Sequence, residues 1–337
     1  MELIPGLPND LAFECLIRIS FDQFPKASSV CRAWKAVIKQ PEFLRRRKAS
    51  GLTRPVIAIC QSRFSLSRLD TVGFRLTLFD PVKRRWHDFP PIPEVVERMP
   101  VLCSVVGIGA ELAVIGGCDP VTRRYLNSVF IYNFFSATWR RGADMPGEDR
   151  LFFGCAASED GGTVVVAGGR SSTTTLALKS TLAYDVARDT WTTLSDMSIG
   201  RYVCTCVFQC GEFHVDSCYT TETLDFVTRQ WHVSDRDIWL QANDVEIDRV
   251  IYKIRKRCDV VALEDDTWVF VTRVPDSTSD VTYVTGWQGN MMVINTKGGE
   301  IHSAYVLELK SKKWTKVKIP RKYRGYVHFG YYCHIHI

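Results

Sequence analysis

Apolar residues change their period once along this chain. Up to residue 48 they recur every three to four positions. Leu11, Cys15, Leu16 and Ile19 form one stripe, and Ala27, Val30, Cys31, Trp34 and Ile38 form a second. That spacing predicts amphipathic helices. Leu7-Pro8-Asn9-Asp10 precedes the first stripe with helix-starting chemistry, Asp10 serving as cap. Phe24-Pro25 breaks the first helix, and Pro41 opens a third that holds Phe43 and Leu44. From residue 55 onward, short apolar runs alternate with polar turns, which predicts strands. The division expected is a helical domain at 1–48, a linker at 49–54 and a β domain at 55–337.

The β part repeats itself. Val114-Ile115 lead into Gly116-Gly117, a polar loop follows, then a strand ending at Tyr132, a turn and Trp139. The same unit recurs 52 residues later, with Gly168, Gly169, Tyr184 and Trp191 in the matching places. A fixed period near 50 with paired glycines and a tryptophan marks kelch-type blades of a β-propeller. Trp86, Trp139, Trp191, Trp231, Trp268 and Trp314 mark six blades, at spacings of 53, 52, 40, 37 and 46, with five blades as the alternative. Each tryptophan is expected in the gap between neighbouring sheets, where its N–H needs an acceptor. The glycine pairs are expected where the backbone takes a positive φ or passes close to a neighbour. Blade four has Asp216-Ser217 in that place and blades one and five lack the pair, so blades four and five are expected to be less regular.

Blade one has only three strands after residue 54, around Val56, Leu76 and Trp86. The chain end offers a fourth. Val327, Phe329, Tyr331, Cys333, Ile335 and Ile337 alternate with His328, Gly330, Tyr332, His334 and His336, the pattern of a half-buried strand. This tail is expected to pair with the strand at Val56 and close the ring, removing exposed edges.

Charge changes the picture little. The chain carries +6, of which residues 1–54, with ten Lys or Arg and five Asp or Glu, supply +5. The rest is near neutral, which argues against a broad nucleic-acid surface. The run Arg45-Arg46-Arg47-Lys48 suits a solvated helix end, a nuclear signal being the rival reading. No secretory signal or long apolar span is visible. The twelve cysteines read as small buried residues of a reducing compartment, cytoplasm or nucleus. Cys204, Cys206, Cys210, His214 and Cys218 lack the paired spacing of a zinc site, and His328, His334 and His336 read as a histidine row. No phosphate loop or nucleophile elbow is present. No cofactor, metal site or catalytic role is expected.

The helical part resembles an F-box: Leu7-Pro8-x-Asp10-Leu11, Cys15 to Ile19, Val30-Cys31-Arg32-x-Trp34 and Pro41-Glu42-Phe43 match it in order and spacing. With the repeats, nearly the whole chain is similar to plant F-box/kelch-repeat proteins. That resemblance implies a non-catalytic subunit of a ubiquitin ligase. The F-box would dock a Skp-family adaptor, and through it a cullin–RING ligase, using Leu7, Pro8, Leu11, Cys15, Leu16, Val30, Cys31 and Trp34. The propeller would hold the target. The loops after the glycine pairs, with Arg123, Arg124, Tyr125 and Arg170, are the candidate substrate contacts. Relatives suggest phenylalanine ammonia-lyase, and so phenylpropanoid metabolism, or cytokinin response regulators as targets. The rival classes are a kelch scaffold without a ligase and a propeller enzyme of oxidase or lyase type.

Overall fold

One hairpin, built six times, sets the β architecture. The computed structural model describes the chain except residues 1, 54, 63–73, 94, 96–98, 159–160, 175, 210, 218–219, 235–243, 256–257, 277–279, 299 and 337. Each tryptophan lies two residues after a left-handed, non-glycine residue: Arg84, Ala137, Asp189, Arg229, Asp266 and Lys312, with φ between 51° and 58°. Side-chain acceptors support several of these turns. Asp80 Oδ1 accepts the N–H groups of Val82 and Lys83, Asn133 Oδ1 those of Phe135 and Ser136, and Asp225 Oδ1 those of Val227 and Thr228. The turn fixes the register. Trp86 stands opposite Phe79, Trp139 opposite Tyr132, Trp191 opposite Tyr184, and Trp231, Trp268 and Trp314 opposite Leu224, Leu263 and Leu307.

The hairpins extend into six four-stranded antiparallel blades of a β-propeller. Blade two comprises Ser104–Ile108, Glu111–Ile115, Val129–Asn133 and Thr138–Gly142, and blade three Gly154–Ala157, Thr163–Ala167, Thr181–Asp185 and Thr190–Thr193. Blade four runs from Thr205–Gln209 to Gln230–Ser234, blade five from Asp244–Ile247 to Thr267–Arg273, and blade six from Asp280–Trp287 to Lys313–Val317. Blades four and five, expected to be less regular, are complete sheets. Their second and third strands are joined by short links, 217–220 and 256–258. In blades two and three the link is long and folds back on the chain leading into the blade. Gly117 has φ 98° and a Cβ there would stand 2.8 Å from Val101 O; Gly169 has φ 105° and a Cβ would stand 3.1 Å from Leu151 O.

Blade one closes the ring as the alternation of the tail implies. Tyr326–His336 pairs with Pro55–Ser62, Val56 opposite Ile335 and Ala58 opposite Cys333, followed outward by Phe74–Asp80 and Arg85–Asp88. Gln61, buried at this seam, donates to Tyr323 O at 2.9 Å. Ile337 lies outside the described residues.

The tryptophans join one blade to the one before it. The indole N–H of Trp139 donates to Pro90 O at 3.0 Å, that of Trp191 to Ala143 O at 2.8 Å and that of Trp231 to Ser195 O at 2.8 Å. Trp314 donates to Thr272 Oγ1 at 3.4 Å, and Trp86 to Lys318 O of blade six at 3.1 Å, across the seam. Trp86 is buried and stacks on Tyr323, ring centroids 5.6 Å apart. The other five are half-buried. Trp268 departs from the pattern and lies beside Lys253 and Arg255.

Four short helices stand on this ring: α1 (Asn9–Ile17), α2 (Phe24–Val30), α3 (Arg32–Ile38) and α4 (Pro41–Ala49). Two expectations need correction. Phe24-Pro25 starts a helix instead of only ending one, since proline is tolerated in a first turn. The second apolar stripe is two helices, because Cys31 is extended and its Sγ accepts the Trp34 N–H at 3.4 Å as the cap of α3. Phe24 and Phe43 pack on each other and on Phe135, in the last turn of blade two, with ring centroids 5.1–5.9 Å apart. Leu44 reaches Gly109 in another turn of that blade.

Arg47 overturns the reading of its charge run as uniformly solvated. Arg45, Arg46 and Lys48 are exposed, but Arg47 is 2 % exposed. Its guanidinium covers Phe24, 4.9 Å from the ring centroid, and donates to Ile17 O, Ile19 O and Leu52 O. It thereby satisfies carbonyls that the end of α1 leaves without a helical partner. At the rim, Asp22 accepts from Lys83 of blade one at 3.2 Å. Hydrogen bonding from Ser20, reinforced by Lys83 against the opposing effect of burial, brings the Asp22 carboxyl from 3.8 to about 2.

Trp86→Ala should cost about 3–5 kcal/mol in urea unfolding, as a fully buried aromatic does, and half-buried Trp139→Ala clearly less; equal losses would deny the seam tryptophan its special place. Asp22, with its folded pKa depressed, contributes stability above the unfolded value of 3.8 that is lost as pH falls towards 2. Asp22→Asn should therefore lower Tm at pH 6, and the gap to the parent should narrow by pH 3.

Candidate functional site: an adaptor face and a loop face

The helical unit divides its apolar residues between two sides. On α1, Ala12, Leu16 and Ile17 are buried, whereas Leu11 is 54 % exposed and Cys15 is also exposed. Leu11 and Cys15 are one turn apart and so share a face, with Pro8 exposed at its start. Val30, at the end of α2, is 62 % exposed. Leu7 and Cys31 are half-buried.

Leu16 must be withdrawn from the adaptor contact set. It is 1 % exposed and belongs to the core shared with Phe24, Phe43 and the propeller. The expected single stripe of Leu11, Cys15 and Leu16 divides, because Leu11 and Leu16 stand about 140° apart around the helix. Asp10 is not a hydrogen-bonding cap: the cap position is Pro8, and Asp10 sits in the first turn, where its charge suits the helix dipole. Trp34 is half-buried, and its indole N–H donates to Leu3 O at 2.7 Å. It pins the segment ahead of α1. That segment turns at Ile4-Pro5-Gly6-Leu7, where Leu7 N–H returns to Ile4 O at 3.0 Å and Gly6 has φ 77°. Proline then glycine at these places is the type II turn pattern.

The loop face is at the other end of the ring. Strands in a blade alternate in direction, so first-to-second and third-to-fourth turns lie at one end and second-to-third loops at the other. Gly109, Phe135 and Lys83, which meet the helices, lie in turns of the first kind. Arg123, Arg124, Tyr125 and Arg170 lie in loops of the second kind.

These loops are built alike. Cys118 bridges to Val101 and Tyr125, and Arg170 bridges to Leu151 and Ala177. Arg170 thus matches Cys118 and stands at the root of its loop, while Arg123 and Arg124 are exposed near the tip of theirs. Tyr125 is half-buried against the core. Asp119 Oδ1 accepts the N–H groups of Val121 and Thr122 at 2.8 and 2.7 Å, and these bonds hold its carboxyl below the usual range. The second loop reads as flexible from its Ser/Thr content, but Asp149 binds the Ser172 hydroxyl and Ser171 that of Thr173.

Sequence reasoning missed two buried arginines under these loops. Arg150 donates to Gly168 O and Ser180 O at 3.0 and 3.1 Å, and burial lowers its pKa. Arg201 meets Glu222, both fully buried, at 2.8 Å. Burial alone would raise the Glu222 carboxyl, but the Ser198 N–H and Arg201 outweigh it and hold it low. Their signal was available in the repeat: both follow the repeated Met145 and Met197 by a few residues.

His214 is buried and bonds Thr223 Oγ1 at 2.8 Å through Nδ1, whereas Cys204 and Cys206 are half-buried at the first strand of blade four. Cys210 and Cys218 lie outside the described residues, as do the side chains of His328, His334 and His336. Among the described residues, no group of three or more His, Cys, Asp or Glu is placed to hold a metal ion. No helix among them is long and apolar enough to cross a membrane.

Comparison with known proteins agrees with this layout. The F-box domain family matches residues 4–46, and the Kelch motif family matches 99–146 and 152–198. The chain is 34% identical to the F-box/kelch-repeat protein At1g15670 of Arabidopsis thaliana, over 99% of this chain and 100% of that protein. It is 36% identical to At1g80440 of the same plant, over 99% and 100%. A more distant relative, the F-box/kelch-repeat protein SKIP20, is 30% identical over 71% of this chain and 67% of its own length. An F-box implies a Skp-type adaptor, and the kelch propeller beyond it a protein substrate. With helices and blades matched over their whole length, the chain belongs to the F-box/kelch-repeat proteins.

Proposed function

We propose that this protein is the substrate-recognition subunit of a Skp–cullin–F-box ubiquitin ligase, acting in the cytoplasm or nucleus. The observation that carries the reading is the split of α1 and α2. Their inner side is closed on the propeller, yet Leu11 and Val30 remain more than half exposed on a unit of short helices. A helical unit that has already buried one apolar side and still offers another suits a groove on a partner. Pro8, Leu11, Cys15 and Val30, flanked by Leu7 and Cys31, form the adaptor contact; Trp34 positions it by holding Leu3.

The protein itself needs no reactive group in this role. Tight docking of the helices on the ring fixes the distance between adaptor and loop face. A target held there sees a raised effective concentration of the ubiquitin-charged enzyme. Arg123, Arg124, Tyr125 and Arg170 contribute to the target surface. The family resemblance makes phenylalanine ammonia-lyase the proposed target, with cytokinin response regulators as the alternative.

Leu11→Asp with Val30→Asp should weaken capture of a Skp-family adaptor at least about tenfold while leaving Tm within a few degrees of the parent. Leu16→Asp should instead unfold the helical unit. Unchanged adaptor capture by the stable double variant would defeat the proposal. In plant cells the same variant should let phenylalanine ammonia-lyase accumulate; accumulation of response regulators alone would redirect the target.

A further inference from the structure

The near-neutral total of the propeller conceals one strongly basic block. Residues 310–324 contain eight Lys or Arg and no Asp or Glu. They form the last strand of blade six, Lys313–Val317, and the 3-10 turn Arg321–Tyr323, with the link to the closing strand. Val317, Ile319 and Tyr323 are buried, which leaves Lys316, Lys318, Arg321 and Arg324 exposed. With His302 and Ser303 these four line a cavity of about 550 Å³, and no carboxylate among the described residues lines it. Among the described residues none of the four makes an ion pair. The neighbouring Lys322 differs: it pairs with Asp88 at 2.9 Å. Asp276 is engaged beside the cavity, accepting from the Ser303 hydroxyl at 2.9 Å with His302 Nε2 at 3.7 Å.

The place of this cavity in the fold is as telling as its charge. It lies where the fourth strand of blade six leaves for the first strand of blade one, and such links are at the end of the ring away from the helices. The loops of Arg123 and Arg170 are at that same end.

We propose that this cavity binds an extended acidic segment of the target protein, its carboxylates or phosphoserine groups set against Lys316, Lys318, Arg321 and Arg324. The inference rests on the reading of the propeller as a substrate receptor and gives that receptor a chemistry. Four cations that make no ion pair among the described residues, Lys316 resting over the Tyr305 ring, give one concave site a local positive potential that an oxyanion relieves. Arginine and lysine both suit carboxylate and phosphate. The size is that of a ligand pocket, and Ile319 and Pro320 give it an apolar part for the peptide chain. A bilayer or nucleic acid would call for a basic field spread across the ring; residues 55–337 instead sum to about +1, with 33 basic and 32 acidic residues.

The test uses the full chain bound to its adaptor and fluorescence anisotropy with short labelled peptides. One peptide alternates Glu and Ser, a second carries phosphoserine, and a third has Gln for every Glu. The acidic and phosphorylated peptides should bind, more weakly as salt rises, and the Gln peptide should not. Lys318→Glu with Arg321→Glu should weaken binding at least about tenfold, and Lys316→Gln with Arg324→Gln should do so to a lesser degree. Lys39→Glu, just after α3, should change nothing. Equal binding of the Gln peptide, undiminished binding by both double variants, or binding only to phosphatidylserine vesicles or to oligouridylate would overturn the proposal. Adaptor capture is measured in parallel on the same variants. Its loss in the parent protein would count against the ligase reading, and failure of peptide binding with capture intact would count against this site alone.

Discussion

The constraint on which the rest depends is the single donor on each blade-marking indole. A propeller blade has two faces to bury and no partner of its own. The tryptophan fills the wedge between neighbouring sheets, but its N–H cannot be left dry there without a loss of about 1–3 kcal/mol. The acceptor comes from the preceding blade: Pro90, Ala143 and Ser195 carbonyls, the Thr272 hydroxyl, and Lys318 O across the seam. Every blade but the fifth is thus oriented by its predecessor, and the first by the last. Such a chain of dependencies needs closure, which the pairing of Tyr326–His336 with Pro55–Ser62 supplies.

The helical unit inherits its position from the same hairpins. The turn that ends in Ala137 and leads to Trp139 also projects Phe135, and Phe135 is the ring on which Phe24 and Phe43 rest. Arg47 completes this contact. Burying a guanidinium is costly unless protein contacts replace its water, and here three carbonyls and an aromatic face do so. Substitution of Arg47 would therefore loosen more than a charge, because the end of α1 and the chain at Leu52 both rely on it. The exposed helical face and the loop face are held at opposite ends of one body by this plug.

Much of this was legible in the amino-acid order, for identifiable reasons. The 52-residue offset exposed the blades because Gly, Tyr and Trp each answer a backbone or packing demand that few other residues meet. The alternation at Val327 to Ile337 showed the closing strand because a half-buried strand can hardly be written otherwise. What periodicity could not give was the direction of each helical face. Leu11 and Leu16 are equally apolar, and only the presence of the propeller on one side decides that Leu16 is core and Leu11 is not. Arg47 was hidden among three exposed cations for the same reason. The break at Cys31 was illegible because a cysteine cap has no strong propensity to announce it. Blades four and five lack the glycine pair and still form complete sheets, because ladder pairing does not require it.

That last point bears on where a target can sit. Long second-to-third loops rise over blades two and three, at 116–128 and 168–180, whereas blades four, five and six cross at 217–220, 256–258 and 298–299. Across blades two to six, the end away from the helices is therefore stepped: raised at two and three, low at four to six. The raised side carries Arg123, Arg124 and Arg170, and the basic block 310–324 borders the low side at blade six. Loops tied down by Asp119 and Asp149, with buried Arg150 and Arg201 beneath them, are rigid enough to act as a wall and not a flap. A rigid step with cations on both levels favours a chain that runs along it over a compact domain that would have to fit a flat disc. An acidic segment bound as proposed would cost little loop entropy, and selectivity would then lie in the spacing of its negative groups.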